Sequence, residues 1–321
     1  MAKKKSVLLA PNQQLDFTDP RIRYPMLGSL KFDGTRCVCV GGELLSRSMK
    51  PQKNKHLPEA LRGLIEVAKG RGLVFDFELY DHTLPNHGAH TSILAAHEKP
   101  IPDTMRCHIF DVMSLDEWGR VGTEIRQSPF MQRQEVYHNI LRTHPLLEGE
   151  RYVGVEQVEV CNAAEAQMLF ELSLEEEYEG IMLRCPDSAY KHGRATHNEG
   201  TIFKFKAFET IDGQIIEVIQ RRKLKDGIER TTTPTGTMER VHAKDAYEPD
   251  EMVGAFKVKF EDGTISEVNY GRGFDHATRR QHWSERDTLI GKHVEVRHLP
   301  HGAKDGIRIG TLQRFRPDKD H

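Results

Sequence analysis

The feature that most restricts how this chain can fold is alternation of apolar and polar residues in short segments across its first two thirds: LKFDG, RCVCV, LVFDFELY, MRCHIFDVM, YVGVEQVEV, GIMLR and TIFKFKAF. Period-two patterning sends successive side chains to opposite faces, so these segments predict strands. Helical spacing interrupts them. Leu57, Leu61, Leu64, Ile65 and Ala68 share one helix face, with Gly70 and Gly72 as the stop. Ser128 and Pro129 suit the cap and first position of a second helix, and Asn162 with Glu165 opens a third. Strands and helices mixed in this way predict an α+β fold. After residue 208 the pattern changes to closely spaced strands with glycine turns, IDGQIIEVIQ, GAFKVKFEDGTISEVNYG and GKHVEVRHL, which predict a small β-barrel. Two domains are therefore expected, 1–208 and 209–321, with a mobile charged insertion over about 221–250.

Charge sets a limit on partners. Forty-six basic residues against 48 acidic ones leave a net charge of −2, so any polyanion site must be a local patch. Cys37, Cys39, Cys107, Cys161 and Cys185 form no CxxC pair, which argues against a disulfide framework and a zinc module. The spacing of His82, His87, His90 and His97 fits no zinc site. No apolar stretch approaches the ~20 residues that span a bilayer, and MAKKKSVLLA is too short in apolar residues for a secretory signal. A cytoplasmic protein without a membrane partner is expected.

Alternation also places reactive groups. In LVFDFELY, Asp76 and Glu78 share one face and Phe75, Phe77 and Leu79 the other. In TIFKFKAF, Lys204 and Lys206 point one way, with Phe203 and Phe205 behind them. Lys31 and Asp33 share a face of LKFDG, Gly34 permits a sharp turn, and Arg36 follows it. Taken singly, paired acids or lysines on a strand are ordinarily just solvated. Their order along the chain changes the reading.

KFDGTR (Lys31 to Arg36), Arg47 in LLSRSMK, FDFELY with Glu78 and HIFDVM with Phe110 are followed by EGIMLR (Glu179 to Arg184), which continues into AYKHGR. KFK (Lys204 to Lys206) and a terminal Arg316, Asp318 and Lys319 complete the series, with Arg308 at an earlier arginine position. In this order the segments resemble the covalent nucleotidyltransferases, most closely the compact, bacteriophage-like ATP-dependent DNA ligases. The resemblance implies a nucleotidyltransferase (adenylation) domain with mixed and antiparallel sheets and flanking helices, completed by an OB-fold barrel. It implies that the Lys31 amine attacks the α-phosphorus of ATP and carries AMP to a nick in duplex DNA. Arg36, Arg47, Glu78, Phe110, Glu179, Lys204, Lys206, Arg316, Asp318 and Lys319 would then bind the nucleotide, with Phe110 stacked on adenine. Glu78 and Glu179 would share Mg2+. Ser29 departs from the family, which often has an acid two positions before the lysine.

The implied partner is nicked double-stranded DNA, gripped by Arg221, Arg222, Lys223, Lys225 and Arg230. A hinge is expected at Ala207 to Thr210. With only 30 residues before Lys31, no separate N-terminal DNA-binding domain is expected, and the enzyme should act as a monomer without an obligate protein partner. An RNA ligase and a GTP-dependent mRNA-capping guanylyltransferase share the lysine motif and are the rival readings. The terminal Arg316 to Lys319 element counts against the first. A non-catalytic nucleic-acid-binding module would have no use for Lys31 and the full set of charged motif positions.

Overall fold

A computed structural model describes residues 5–84, 87–120, 127–232, 238–239, 241, 243–271, 274–299 and 306–316, apart from the side chains of 87–89, 244 and 309. The described residues fall into two compact units. The first runs to Lys206 and includes Thr232 and Met238; the second holds Ala207–Thr231 and the residues from Glu239 on. Among them, no helix is long and apolar enough to cross a membrane.

In chain order the first unit contains β1 (Leu8–Leu9), β2 (Met26–Lys31), β3 (Thr35–Val40), β4 (Glu43–Ser46), α1 (Leu57–Ala60) and α2 (Arg62–Arg71). Next come β5 (Leu73–Tyr80), α3 (His87–Ala95), β6 (Arg106–Ser114), α4 (Leu115–Arg120) and α5 (Phe130–Thr143). It ends with β7 (Tyr152–Gly154), β8 (Val158–Val160), α6 (Ala163–Glu175), β9 (Gly180–Arg184), β10 (Gly193–Arg194) and β11 (Ile202–Lys206). Two sheets result, β4-β3-β5-β6-β7 and β11-β9-β2-β8, with β1 and β10 as a short parallel pair.

The five-stranded sheet is buried on both faces. Cys37, Phe75, Phe77, Leu79 and Ile109 pack on one side with Leu61, Leu64 and Tyr137 of the helices. Val38, Val74 and Met113 pack on the other with Leu8, Trp118 and Tyr190. This second layer corrects the reading of Asp76 as an ordinary solvated acid, because the face it occupies is covered and its carboxylate fully buried. YVGVEQVEV also divides: β7 joins the first sheet beside β6 and β8 the second beside β2, so one segment connects the two.

The helices follow local chemistry closely. The helix expected from Leu57 breaks at Leu61 into α1 and α2, and Gly72 supplies the left-handed cap at φ 62° while Gly70 stays inside. Pro129, not Ser128, takes the N-cap position of α5, and the Ser128 amide goes instead to Glu117 at 3.0 Å. At α6 the Asn162 side chain accepts from the Glu165 amide at 3.0 Å, the cap read from sequence.

The second unit contains β12 (Glu209–Leu224), β13 (Tyr247–Phe260), β14 (Ile265–Asn269), α7 (His276–Ser284), α8 (Arg286–Leu289), β15 (His293–Leu299) and β16 (Arg308–Phe315). Its strands close a barrel in the order β12-β13-β14-β16-β15, around Ile215, Phe256, Val258, Val268, Val296 and Leu312. The expected charged insertion is corrected here. Arg222, Lys223 and Leu224 pair with Pro249, Glu248 and Tyr247, so both ends of that stretch are a β-hairpin. Opposite charges facing across a ladder support such pairing where apolar residues are scarce. Glu209 and Thr210, expected in a hinge, already pair with His298 and Arg297, which leaves Ala207 and Phe208 between strands.

Candidate active site

Three neighbouring strands put the reactive groups in register. Lys31 at the end of β2 pairs with Gly180 on β9, and Gly180 pairs with Lys206 on β11. Gly180 is required there: its φ is 139°, and a Cβ would lie 2.0 Å from the Phe205 carbonyl oxygen. The preceding residue, Glu179, donates its amide to the Lys31 carbonyl at 3.1 Å. One oxygen of its carboxylate takes the Lys31 ammonium and the other the Lys206 ammonium. Burial raises the Glu179 pKa, but Lys31 and Lys206 outweigh it and hold the group below the usual glutamate value. On β11, Phe203 and Phe205 are buried in the core while Lys204 and Lys206 line a cavity. Burial, then the cations Lys206, Arg194, Lys31 and Arg47, push Lys204 down to about 8. Lys206 is lowered by burial and Lys31, against the pull of Glu179.

The facing sheet supplies the second wall. Gly34 makes the turn into β3, where a Cβ would meet the Leu79 carbonyl oxygen at 2.3 Å. Arg36 stands opposite Glu78 in the β3/β5 ladder. Its guanidinium grips Asp76 through two bonds, 2.8 and 2.5 Å, and donates to the Leu8 carbonyl at 2.7 Å. Tyr190 donates its hydroxyl to the same Asp76 carboxylate at 2.6 Å. Asp76 is thus an anchor for Arg36, whose guanidinium lies 5.0 Å from the centre of the Phe110 ring. Glu78 is pushed up to about 7: burial outweighs the lowering by Lys31 and Arg36, and Glu179 and Asp76 add to the rise.

Between these walls lies a cavity of about 750 Å³. It is lined by Lys31, Arg36, Arg47, Glu78, Phe110, Lys204 and Lys206, the nucleotide residues expected from sequence, with Glu179 holding two of the lysines from behind. Arg184 and Arg194 also line it, so seven cations face one carboxylate, a balance suited to a polyphosphate. Arg184 and Arg194 close the motifs EGIMLR and AYKHGR, where their position was the available signal. Met182, Phe130 and Gln157 line the cavity too, and no sequence pattern marks Gln157. Glu78 and Glu179 influence each other electrostatically. Of the two acids expected to hold Mg2+, Glu78 lines the cavity and Glu179 has one oxygen on each of Lys31 and Lys206; Mg2+ needs one or two carboxylates and otherwise keeps water and phosphate oxygens. Among the described residues, no group of three or more His, Cys, Asp or Glu is placed to hold a metal, and the His87 side chain lies outside them.

The remaining expected residues belong to the barrel unit. Arg316 is bonded to Asp212 at 3.0 and 3.1 Å and to Glu295 at 3.0 Å; Asp318 and Lys319 lie outside the described residues. Of the basic cluster, Arg221 pairs with Asp250 at 3.2 Å, Lys223 with Glu248 at 3.0 Å, and Arg222 donates to the Tyr247 carbonyl at 2.8 Å. Lys225 and Arg230 have no ion-pair partner among the described residues.

The sequence profile of the ATP dependent DNA ligase domain matches residues 22–206. No curated protein sequence matches. Among solved structures the fold is similar to that of a Lig E DNA ligase, at 18% identity over 97% of this chain and 99% of that one, with a TM-score of 0.67. It is similar to the Chlorella virus DNA ligase-adenylate, at 25% identity over 99% and 100% of the two chains and a TM-score of 0.52. The ATP-dependent DNA ligase from bacteriophage T7 in complex with ATP is likewise similar, at 16% identity over 98% and 100% with a TM-score of 0.52.

Proposed function

The chain belongs to the ATP-dependent DNA ligase family, and from that premise we propose that it seals 5′-phosphate/3′-hydroxyl nicks in duplex DNA, as a monomer, through AMP carried on Lys31. The observation that supports this most directly is the register Lys31, Gly180, Lys206 with Glu179 between the two ammonium groups, on the wall of a cation-lined cavity.

In the first step the Lys31 Nζ attacks the α-phosphorus of ATP. An N–P bond forms, the bond to pyrophosphate breaks, and Nζ gives up a proton. Lysine acts only as the free amine, so the Lys31–Glu179 ion pair opens before attack. Lys204, Lys206, Arg36, Arg47 and Arg194 neutralise the phosphates and the charge that develops on the leaving pyrophosphate. Phe110 offers the base a stacking surface. Glu78 and Glu179 would hold Mg2+, which when bound polarises phosphoryl oxygens. The 5′-phosphate of the nick then attacks the same phosphorus, breaking the N–P bond and restoring Lys31, and the 3′-hydroxyl finally displaces AMP. Arg316, Asp318 and Lys319 would orient the pyrophosphate in the first step, with Ala207 and Phe208 as the turning point between units.

The test incubates the protein with ATP labelled in its α-phosphate, magnesium and a nicked duplex, with Lys31→Ala as control. Label on Lys31 and a sealed strand are expected. An adduct on another residue, or sealing by Lys31→Ala, overturns the proposal. Preferential labelling by GTP would favour guanylyl transfer, and preferential sealing of RNA nicks an RNA ligase.

A further inference from the structure

Two of the cavity's cations lean on a strand ahead of the matched ligase domain, which begins at residue 22. The strand is β1, and its Leu8 and Leu9, with Ala10 after them, are buried and line the cavity. It pairs in parallel with the two residues of β10, Leu8 with Gly193 and Leu9 with Arg194. So short a ladder holds weakly by itself. Side chains complete it.

The contacts run from the backbone of β1 to the charged groups of the site. The Leu8 carbonyl accepts from Arg36 Nη1 at 2.7 Å, and the Ala10 carbonyl accepts from Arg194 Nη1 at 2.5 Å. The Leu8 amide donates to the Tyr190 hydroxyl at 3.0 Å, and that hydroxyl donates to Asp76 Oδ2 at 2.6 Å. Asp76 in turn accepts from Nε and Nη2 of Arg36. The bonds therefore close a ring from Arg36 to Leu8, Tyr190, Asp76 and back. Tyr190 and Asp76 are buried, so water does not replace a lost partner. With Nε, Nη1 and Nη2 each engaged, the plane of the Arg36 guanidinium is set, and its remaining N–H groups are left for phosphate. Tyr190 is not among the residues that line the cavity, so any effect it has on the nucleotide passes through Arg36 and β1.

We propose that Tyr190 and the backbone of β1 are positioning groups for self-adenylation: the Tyr190 hydroxyl fixes Leu8, and the Leu8 and Ala10 carbonyls aim Arg36 and Arg194 at the nucleotide phosphates. The assignment rests on the ligase reading, in which these cations neutralise the phosphates. Without the hydroxyl, the Leu8 amide has no acceptor, Asp76 has one donor fewer, and Arg36 is free to turn.

The test measures self-adenylation against ATP concentration, and its inhibition by adenosine, which has no phosphate. In Tyr190→Phe the half-saturating ATP concentration is expected to rise about tenfold, the effect of one buried hydrogen bond. The inhibition constant of adenosine should stay within about twofold of the wild type, because Tyr190 acts through groups that face phosphate. In an Arg36→Lys background, where the fork that Asp76 and Leu8 align is already gone, Tyr190→Phe should cost less than about twofold. A general loosening of the fold would weaken adenosine together with ATP and cost the same in both backgrounds. Either result overturns the assignment, as does unchanged ATP use by Tyr190→Phe. If Tyr190→Phe does not fold, a backbone ester at residue 8, which removes only the N–H that Tyr190 accepts, decides the question. About threefold weaker ATP use that disappears in Arg36→Lys supports the proposal, and unchanged use overturns it. Absence of any wild-type labelling by ATP defeats the ligase reading itself, a result distinguishable from a selective loss in Tyr190→Phe.

Discussion

Two runs of basic residues lie on strands of this protein, Lys204 and Lys206 on β11 and Arg221 to Lys223 on β12, and they differ in what faces them. On β12 an acid of the partner strand answers Arg221 and another answers Lys223, and the Glu248 carboxylate raises the Lys223 pKa. On β11 the neighbours are mostly more cations, the lysines are partly buried, and their pKa values are lowered. Balanced, exposed charge contributes to hairpin pairing and is of small energetic consequence. Unbalanced, desolvated charge is unfavourable until an anion arrives, which is the condition expected of a binding site.

The largest effects should come from the buried constellation. Lys31→Ala is expected to reduce the protein–AMP adduct to background, read by intact mass, while the melting temperature is kept; a residual adduct would break the assignment. Glu179→Gln should follow, with adenylation slowed about 100-fold. It should also cost about 2 kcal/mol of stability, because Lys31 and Lys206 then face each other without a carboxylate between them. An unchanged denaturation midpoint would show that Glu179 does not hold the two lysines.

How much of this was legible in the sequence depends on the range of the interactions involved. Alternation located the strands and put Lys204 and Lys206 on one face, because that requires only neighbouring residues. It misjudged Asp76, since burial of its face is decided by Tyr190 and by a layer distant in sequence. It read YVGVEQVEV as one strand, where pairing partners from two sheets divide it. The charged stretch from Arg221 has the composition of a loop, because the strand that pairs with it lies about 25 residues away and local composition carries no sign of that pairing. Gln157 carries no pattern at all, and only the ladder that begins at the next residue, Val158 against Gly28, brings it to the cavity.

Acidity gives a smaller and more graded test of the buried wall. Glu78 titrates at about 7 in the fold against 4.5 unperturbed, so the folded protein holds an extra proton between these values. Its contribution to stability is therefore full below about pH 4.5 and lost as pH rises through 7. Without nucleotide, Glu78→Gln should gain on the wild type as pH goes from 5 to 8. Lys204 works the other way. Lowered from 10.5 to about 8, it penalises the fold fully below pH 8, and the penalty fades as pH approaches 10.5. Lys204→Met should be more stable than the wild type at pH 7 by about 1 kcal/mol, after allowance for partial exposure. It should lose that advantage near pH 10 and need about tenfold more ATP. Destabilisation at pH 7 would show that the charge is already compensated and would weaken the contrast with β12.

The smallest effects belong to the hairpin and set the limit of the comparison. Each DNA phosphate neutralised adds about 0.9 to the slope of log affinity against log salt. Removing charges in matched pairs, Arg221→Gln with Asp250→Asn and Lys223→Gln with Glu248→Gln, leaves the net charge unchanged. That variant should alter the salt slope of nick binding by less than about 0.5. Lys225 and Arg230, which have no ion-pair partner among the described residues, are the members of the cluster left to meet phosphate. Substituting both with Gln should weaken nick binding several-fold at low salt and reduce the slope by up to about 2, with self-adenylation intact. If the matched-pair variant moved the slope as far as the Lys225 and Arg230 variant, ion pairing on a strand would not silence a basic residue toward DNA. The two runs would then differ only in burial, not in balance.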